Sequence, residues 1–417
     1  MEHIENKSKR IVVKYGGTSL ADSDRIQMAV KAVAKEVAKG SRVAVVVSAM
    51  GKTTDQLFHL VKNASNGNVE RKELDEVLAM GERTSVRIFA VALKANGLES
   101  RYFDPSTDCW PIITDDTFSN ANPILEECQK RIQQHVLPIF EKGAVPVIAG
   151  FIGKTVDGRI TTLGRGGSDT TAFILAKSLN ADEVVLVTDA DGIMSADPKI
   201  IKNPKRIREI DVNTLVGLAD SGTKFIHRKA LKYKDPTINA RVIAYFHGDL
   251  NQEGTLITGG INTELGVDIA SPVPVASITV VGQSFSQKPN FVKELTEKVK
   301  NHSTLLGLSL DHKSIVLFVS EENSLDMLLN ETHETILKNS GANAMSVRWN
   351  LAFIRISGVG LEETPGLIGR ISEPLRLKDV NIFGILTSTS SILLFVSWED
   401  KEKTLSLIRS SLGLNGR

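Results

Sequence analysis

The chain has 417 residues, 50 of them basic and 49 acidic. That length is too great for one typical core and predicts two or three domains, while the near-zero net charge gives no electrostatic case for nucleic acid or an anionic membrane as partner. Two cysteines, Cys109 and Cys128, exclude a disulfide framework and a Cys-rich zinc site, and fit a reducing cytosol.

The elements follow from hydrophobic period and punctuation. Met1 to Lys7 is polar and lacks the apolar core of a signal peptide. No apolar run approaches the roughly 20 residues that span a bilayer, so a cytoplasmic protein is expected. Arg10 to Lys14 reads as a buried strand. Asp22 or Ser23 caps a helix carrying Ile26, Ala29, Val30, Val33 and Val37, which stops at Gly40. Val43 to Ser48 is a continuous apolar run of the kind found in sheets covered on both faces, and Ala144 to Ile152 and Glu183 to Thr188 repeat it. Strands alternating with amphipathic segments predict an α/β sandwich with a mainly parallel sheet, whose ligands gather at the strand carboxyl ends. After Gly254-Thr255-Leu256-Ile257 the composition changes. Thr258 through Pro274 reads as a linker, and two similar units follow, 275–343 and 344–417. Each shows a strand (Ala276 to Val281; Leu351 to Ile356), a Gly/Pro turn, a helix (Phe291 to Val299; Leu367 to Leu377), short strands (Ser314 to Val319; Ile392 to Val396) and a second helix. That order suggests two ferredoxin-like modules.

The most informative stretch is Thr162-Leu163-Gly164-Arg165-Gly166-Gly167-Ser168-Asp169-Thr170-Thr171-Ala172. Glycines admit an anion to backbone N–H groups, a helix start adds a positive dipole end, and an arginine forks a carboxylate. Such a turn suits a carboxylate, a phosphate or both. A plain turn capped by Ser168 or Asp169 would account for the serine but not for the arginine. Lys14-Tyr15-Gly16-Gly17-Thr18-Ser19 places a lysine beside two glycines, where it can reach a phosphate. Taken alone, Lys14 is equally consistent with a solvated strand-end lysine. The Gly-Lys-Thr triplets at Gly51 and Gly153 have Val46 and Ile148 where a Walker A loop needs its first glycine, and no GxGxxG occurs. Thr188-Asp189-Ala190-Asp191-Gly192 offers carboxylates at a strand end, for Mg²⁺ through water or for a ribose, or forms an ordinary Asp-Gly turn. Gly222-Thr223-Lys224 holds a second candidate phosphate lysine. The eight histidines show no helical metal-ligand spacing, and no residue is assigned as a metal ligand.

Together these segments resemble the aspartokinases, of the amino acid kinase family. The resemblance spans essentially the whole chain and includes Val47-Ser48-Ala49-Met50-Gly51-Lys52-Thr53-Thr54-Asp55 and Gly81-Glu82-Arg83-Thr84-Ser85. It implies a three-layer αβα amino acid kinase domain over 1–262, followed by paired ACT regulatory modules over 275–343 and 344–417. The second module is marked by Thr364-Pro365-Gly366 and Val380-Asn381-Ile382. It further implies ATP- and Mg²⁺-dependent phosphorylation of the β-carboxylate of L-aspartate, the entry step to lysine, threonine, methionine and isoleucine synthesis. An amino-acid effector, lysine or threonine, and a homo-oligomer built through the ACT modules follow from the same resemblance. Carried over by position, Lys14, Asp169 and Lys224 are catalytic. Ser48, Thr54, Glu82, Arg165 and Ser168 hold the substrate, Glu82 through its ammonium group and Arg165 through its α-carboxylate. Lys14, Gly16, Gly17, Thr188, Asp189, Lys199 and Lys224 contact the nucleotide.

The chain departs from the family pattern at Met194 (usually tyrosine) and Lys199 (usually arginine), both near the nucleotide, and at His227-Arg228 in place of His-Pro. The first ACT module has Lys288-Pro289-Asn290 for a Pro-Gly turn and lacks an Ile-Asn within Asn301 to Leu305, which leaves it structural or tuned to another ligand. Two other readings compete: a kinase for another acid such as glutamate, and a vestigial amino-acid sensor. Glu82 and Thr54 beside an ACT tandem argue against the first. Lys14, Arg165, Asp169 and Lys224 together argue against the second.

Overall fold

The computed structural model describes residues 8–197, 200–220, 226–261, 265–339, 341–358, 361, 364–388 and 391–414. The chain divides into two compact units, Met1–Ile261 and Asn262–Arg417. Among the described residues no helix is long and apolar enough to cross a membrane.

The first unit opens with β1 (Arg10–Tyr15), α1 (Ser23–Ala38), β2 (Arg42–Val47), α2 (Thr53–Ala64), α3 (Arg71–Ala95), β3 (Ser100–Phe103) and β4 (Ile113–Thr114). It continues with α4 (Leu125–Arg131), α5 (Leu137–Glu141), β5 (Val145–Ala149), β6 (Ile152–Thr155), β7 (Ile160–Thr162), α6 (Gly167–Ser178) and β8 (Glu183–Thr188). It ends with β9 (Glu209–Asp211), α7 (Val212–Asp220), α8 (Arg228–Leu231), β10 (Asn239–Ala244) and β11 (Thr255–Thr258). Eight strands form one sheet in the order β3-β5-β2-β1-β8-β10-β11-β9. Every neighbouring pair is parallel except β10 with β11. Helices α1 and α3 pack together and onto the sheet, while α6 packs with α4 and α8 and onto β1, β2 and β8. This is the three-layer αβα sandwich.

Local chemistry explains the elements. Asp22 is the cap of α1, its carboxylate accepting from the Arg25 N–H at 2.9 Å, and Ile26, Ala29, Val30 and Val33 bury one face. Gly40 stops the chain beyond the helix at φ +89, a conformation that costs glycine nothing. Val43 to Val47 are all buried, as a strand with helices above and below requires.

The apolar run Ala144 to Ile152 is not one strand. β5 ends at Ala149, and β6 begins at Ile152 in a separate three-stranded sheet, β4-β6-β7. Phe151, at φ +64, makes the break. Neither Ser168 nor Asp169 caps α6 either: the N-cap is Gly166, in the left-handed region at φ 74, and both residues lie inside the first turn.

The second unit contains β12 (Gly266–Ile269), β13 (Val275–Gly282), α9 (Pro289–His302), β14 (Leu305–Leu310), β15 (Ser314–Ser320), α10 (Asp326–Lys338) and β16 (Ala342–Ser357). It closes with α11 (Leu367–Arg376), β17 (Gly384–Ser388), β18 (Ser391–Ser397) and α12 (Lys401–Ser411). The stretch read as a linker thus holds a strand, β12, which pairs antiparallel with the end of β16. Nor do two sheets stand side by side. A single seven-stranded sheet is built around β16, whose first half pairs with β13 and whose second half pairs with β18 and β12. Asn350, at φ 58, turns the strand between its halves, a position asparagine tolerates. One face carries a core for each helical pair, around Phe291 and Leu317 and around Ile354 and Ile371. On the other face Phe395 stacks on Phe318, ring centroids 3.7 Å apart, and on Phe353 at 5.0 Å.

Candidate active site

The carboxyl ends of four adjacent parallel strands meet at one level. Gly16 N–H donates to the Val187 carbonyl at 3.1 Å, Ser48 N–H to Tyr15 at 3.1 Å, and Gly150 N–H to Val47 at 2.9 Å. Beyond these ends lies a cavity of about 230 Å³, bounded by Lys14, Ser48, Thr54, Glu82, Phe151 and the turn from Gly164 to Asp169. A crevice at the strand carboxyl ends is where an open parallel sheet takes its ligand.

Lys14 projects from β1 to an ion pair with Asp169 in the first turn of α6. Nζ and Oδ1 are 2.7 Å apart, and the side chains are 16% and 11% exposed. Ser48 Oγ donates to Ser168 Oγ at 3.0 Å, which ties the end of β2 to the same helix. The approach is close: a Cβ on Gly150 would stand 2.6 Å from Ser168 Oγ. Glu82 enters from α3, where Gly81 lets the helix press against Ala49. Glu82 is 3% exposed, and Oε2 has no hydrogen-bond partner among the described residues. Burial pushes its pKa up to about 8, opposed by the N–H of Ala49. A buried carboxylate oxygen without a donor marks a place for a cationic group. Arg165 lines the cavity as an exposed residue, between Gly164 at φ +73 and Gly166 at φ +74, and has no ion-pair partner among the described residues.

Seven of the expected residues therefore share one cavity: Lys14, Ser48, Thr54, Glu82, Arg165, Ser168 and Asp169. Gly16, Gly17, Thr188 and Asp189 lie at the neighbouring ends of β1 and β8 and do not line it. The Gly16 N–H bonds the Val187 carbonyl. Gly17 instead lets two loops meet, since a Cβ there would stand 2.8 Å from the Ala49 carbonyl and 2.9 Å from that of Gly51. Thr188 Oγ1 donates to Asp189 at 3.1 Å. Lys199 and Lys224 lie outside the described residues.

Sequence reasoning missed two contributors. Phe151 forms a wall of the cavity from its left-handed backbone. Asp75, fully buried two turns before Glu82 on α3, accepts from the N–H groups of Ser119 at 2.8 Å and Thr162 at 2.9 Å, and from both of their hydroxyls. An acidic residue on the apolar face of a helix, two turns from Glu82, was the available signal.

A small cavity that faces a buried carboxyl with a lysine and an arginine thus lies at the carboxyl ends of the parallel αβα sheet. The chain belongs to the amino acid kinase family, whose model matches residues 9–244. Relatives within that family include aspartokinases. It is 34% identical over 414 residues to the aspartokinase of Rickettsia felis, covering 95% of this chain and 97% of that one. The aspartate kinase of Synechocystis superposes with a TM-score of 0.76 at 25% identity, over 97% of this chain and 69% of the other. E. coli aspartokinase III, solved in complex with aspartate and ADP, shares the fold at 24% identity with a TM-score of 0.55, over 97% of this chain and all of its own.

Proposed function

We propose that this enzyme phosphorylates the β-carboxylate of L-aspartate with ATP, giving 4-phospho-L-aspartate as the first step toward lysine, threonine, methionine and isoleucine. The observation that carries this reading is the arrangement around the cavity: a buried carboxyl at Glu82 whose Oε2 has no partner among the described residues, and cations at Arg165 and Lys14. Aspartate is a cation flanked by two carboxylates. Its ammonium suits Glu82, its α-carboxylate the fork of Arg165 with Ser168 and Ser48 beside it, and its β-carboxylate the neighbourhood of Lys14.

The chemistry needs no general base, because a carboxylate with an ordinary pKa of about 3.9 is ionised at neutral pH. The obstacle is bringing one anion to another, so catalysis consists of positioning and charge neutralisation. Lys14 supplies the charge, and its 2.7 Å pair with Asp169 holds the ammonium on the cavity side of β1. Lys224 is assigned to the phosphates, and Thr188, Asp189 and Lys199 to the nucleotide, on the sequence resemblance. Mg²⁺ is expected to arrive on the nucleotide, since it is commonly held by phosphates, water and one or two carboxylates.

Residues 1–262 carry catalysis in this reading, and modules 275–343 and 344–417 respond to lysine or threonine, with β12 lent to the second. A cavity of about 350 Å³ beside Leu367, Thr387 and Ile392 supports the second module as the effector's host. Leu305, Leu308 and Leu310 stand exposed along the edge strand β14, which supports a homo-oligomer formed through this sheet. The free thiols Cys109 and Cys128 support a cytoplasmic setting.

Trapping the acyl phosphate with hydroxylamine tests the proposal. Aspartate with ATP gives a hydroxamate and glutamate does not. Absence of product from aspartate refutes it.

A further inference from the structure

The glycine turn that presents Arg165 is held from outside the cavity by a residue that does not line it. Helix α8 is a single turn, capped by His227, whose ring accepts from the Lys229 N–H at 3.3 Å. The Lys229 side chain leaves this helix and ends among four oxygens. Nζ lies 3.1 Å from the Asn120 carbonyl, 2.8 Å from Asn120 Oδ1, 2.8 Å from the Ala121 carbonyl and 2.8 Å from the Leu163 carbonyl. An ammonium has three protons to donate, so these acceptors saturate it, and none of them is a carboxylate.

The acceptors come from the two segments that frame the turn. Leu163 immediately precedes Gly164, and a Cβ on Gly164 would stand 2.8 Å from Asn120 Oδ1. On the other side of Arg165, a Cβ on Gly166 would stand 2.6 Å from His227 Cβ. Both neighbours of Arg165 are therefore glycines because α8 and the Asn120 turn press against them. Asp75 anchors the same two segments one residue earlier, at Ser119 and Thr162. Burial among neutral acceptors pulls the Lys229 pKa down to about 8, with Asp115 opposing and Lys232 adding to the shift. A cation kept half-buried without an acid against it has a positional rather than a charge-pairing role.

We infer that Lys229 is a positioning residue for substrate: by gathering the carbonyls of Asn120, Ala121 and Leu163 it fixes the turn so that the Arg165 guanidinium meets the α-carboxylate, without itself touching the amino acid. This rests on the aspartate-kinase reading. A turn bounded by two left-handed glycines has little stiffness of its own, and a displacement of about 1 Å at a clamp is enough to lose binding.

The test compares full-length wild type with Lys229→Met, Lys229→Ala and Lys229→Arg by aspartyl hydroxamate formation. In Lys229→Met, the KM for aspartate rises about tenfold or more, equivalent to roughly 1.4 kcal/mol, while the KM for ATP stays within about twofold. In Lys229→Ala, added n-propylammonium restores the aspartate KM and n-propanol does not, because donors and not volume are missing. An unchanged aspartate KM in folded Lys229→Met overturns the inference. So does an equal rise for both substrates, or equal rescue by propanol. If the methionine and alanine variants fail to fold, Lys229→Arg decides: a folded arginine variant with aspartate KM within about threefold of wild type upholds it. Failure of that variant also to fold overturns it in favour of a purely structural lysine. Wild type without aspartyl hydroxamate refutes the kinase reading itself, a result separate from any of these.

Discussion

Glu82 is the residue whose environment departs furthest from its chemistry in water. Burial raises its pKa from 4.5 to about 8, so the ligand-free fold favours the protonated carboxyl. Its contribution to stability is complete below about pH 4.5 and is lost as pH rises through about 8, by up to about 1.4 kcal/mol per pH unit. Glu82→Gln cannot ionise. In thermal unfolding it matches wild type near pH 4.5 and exceeds it at pH 8; parallel curves would show that Glu82 does not titrate in this window. A bound ammonium reverses the preference, so aspartate binding releases a proton and tightens as pH rises toward 8, which calorimetry in buffers of different ionisation enthalpy detects. The two cations of the cavity respond differently to removal. Arg165 is exposed and has no ion-pair partner among the described residues, so Arg165→Ala loses aspartate binding with Tm nearly unchanged. A normal aspartate KM in that variant removes the clamp. Lys14→Ala loses turnover and also lowers Tm, because it leaves Asp169, 11% exposed, without its 2.7 Å partner.

At the level of elements, the site depends on strand ends and loops that approach more closely than side chains permit. Gly17 is the clearest case. A methyl group there meets two backbone carbonyls, at 2.8 and 2.9 Å, and backbone cannot rotate aside. Gly17→Ala is expected to cost about 1–3 kcal/mol and to separate the loops after β1 and β2, with loss of hydroxamate formation. Chemical denaturation combined with the activity assay reads both effects. Full activity in that variant would mean that the loops can part without harm. The break at Gly150 and Phe151 serves the same geometry: it ends β5 beneath Ser168 and sends the chain into the β6–β7 hairpin, which delivers the turn around Arg165.

For the whole molecule, two units with separate cores predict two unfolding transitions. Phe395 is fully buried in the second unit, stacked on Phe318 and Phe353. Phe395→Ala should cost about 3–5 kcal/mol and move only one transition in urea, followed by near-UV signal and calorimetry. A shift of both together would show that the units unfold as one body.

Sequence by itself determined much of this protein. The apolar runs of β1, β2 and β8 required a sheet covered on both faces, Gly40 ended α1, and the turn around Arg165 suited a carboxylate or a phosphate, while the roles of Lys14 and Glu82 came from the resemblance to the aspartokinases. These features are local: period, propensity and the chemistry of single side chains act over a few residues, and one sequence displays them. Tertiary structure decided what depends on distant residues meeting. The run from Ala144 to Ile152 had a continuous strand pattern, but Phe151 is held at positive φ by the strands and helix around it. The stretch after Thr258 looked like a linker because β12 is short, and only pairing with β16, about 90 residues further on, makes it a strand. Lys229, Asn120 and Leu163 are ordinary residues in three separate segments, and no pattern along the chain joins them. Their hydrogen bonds exist only once the fold has brought the segments together, and so does the rigidity they give to Arg165.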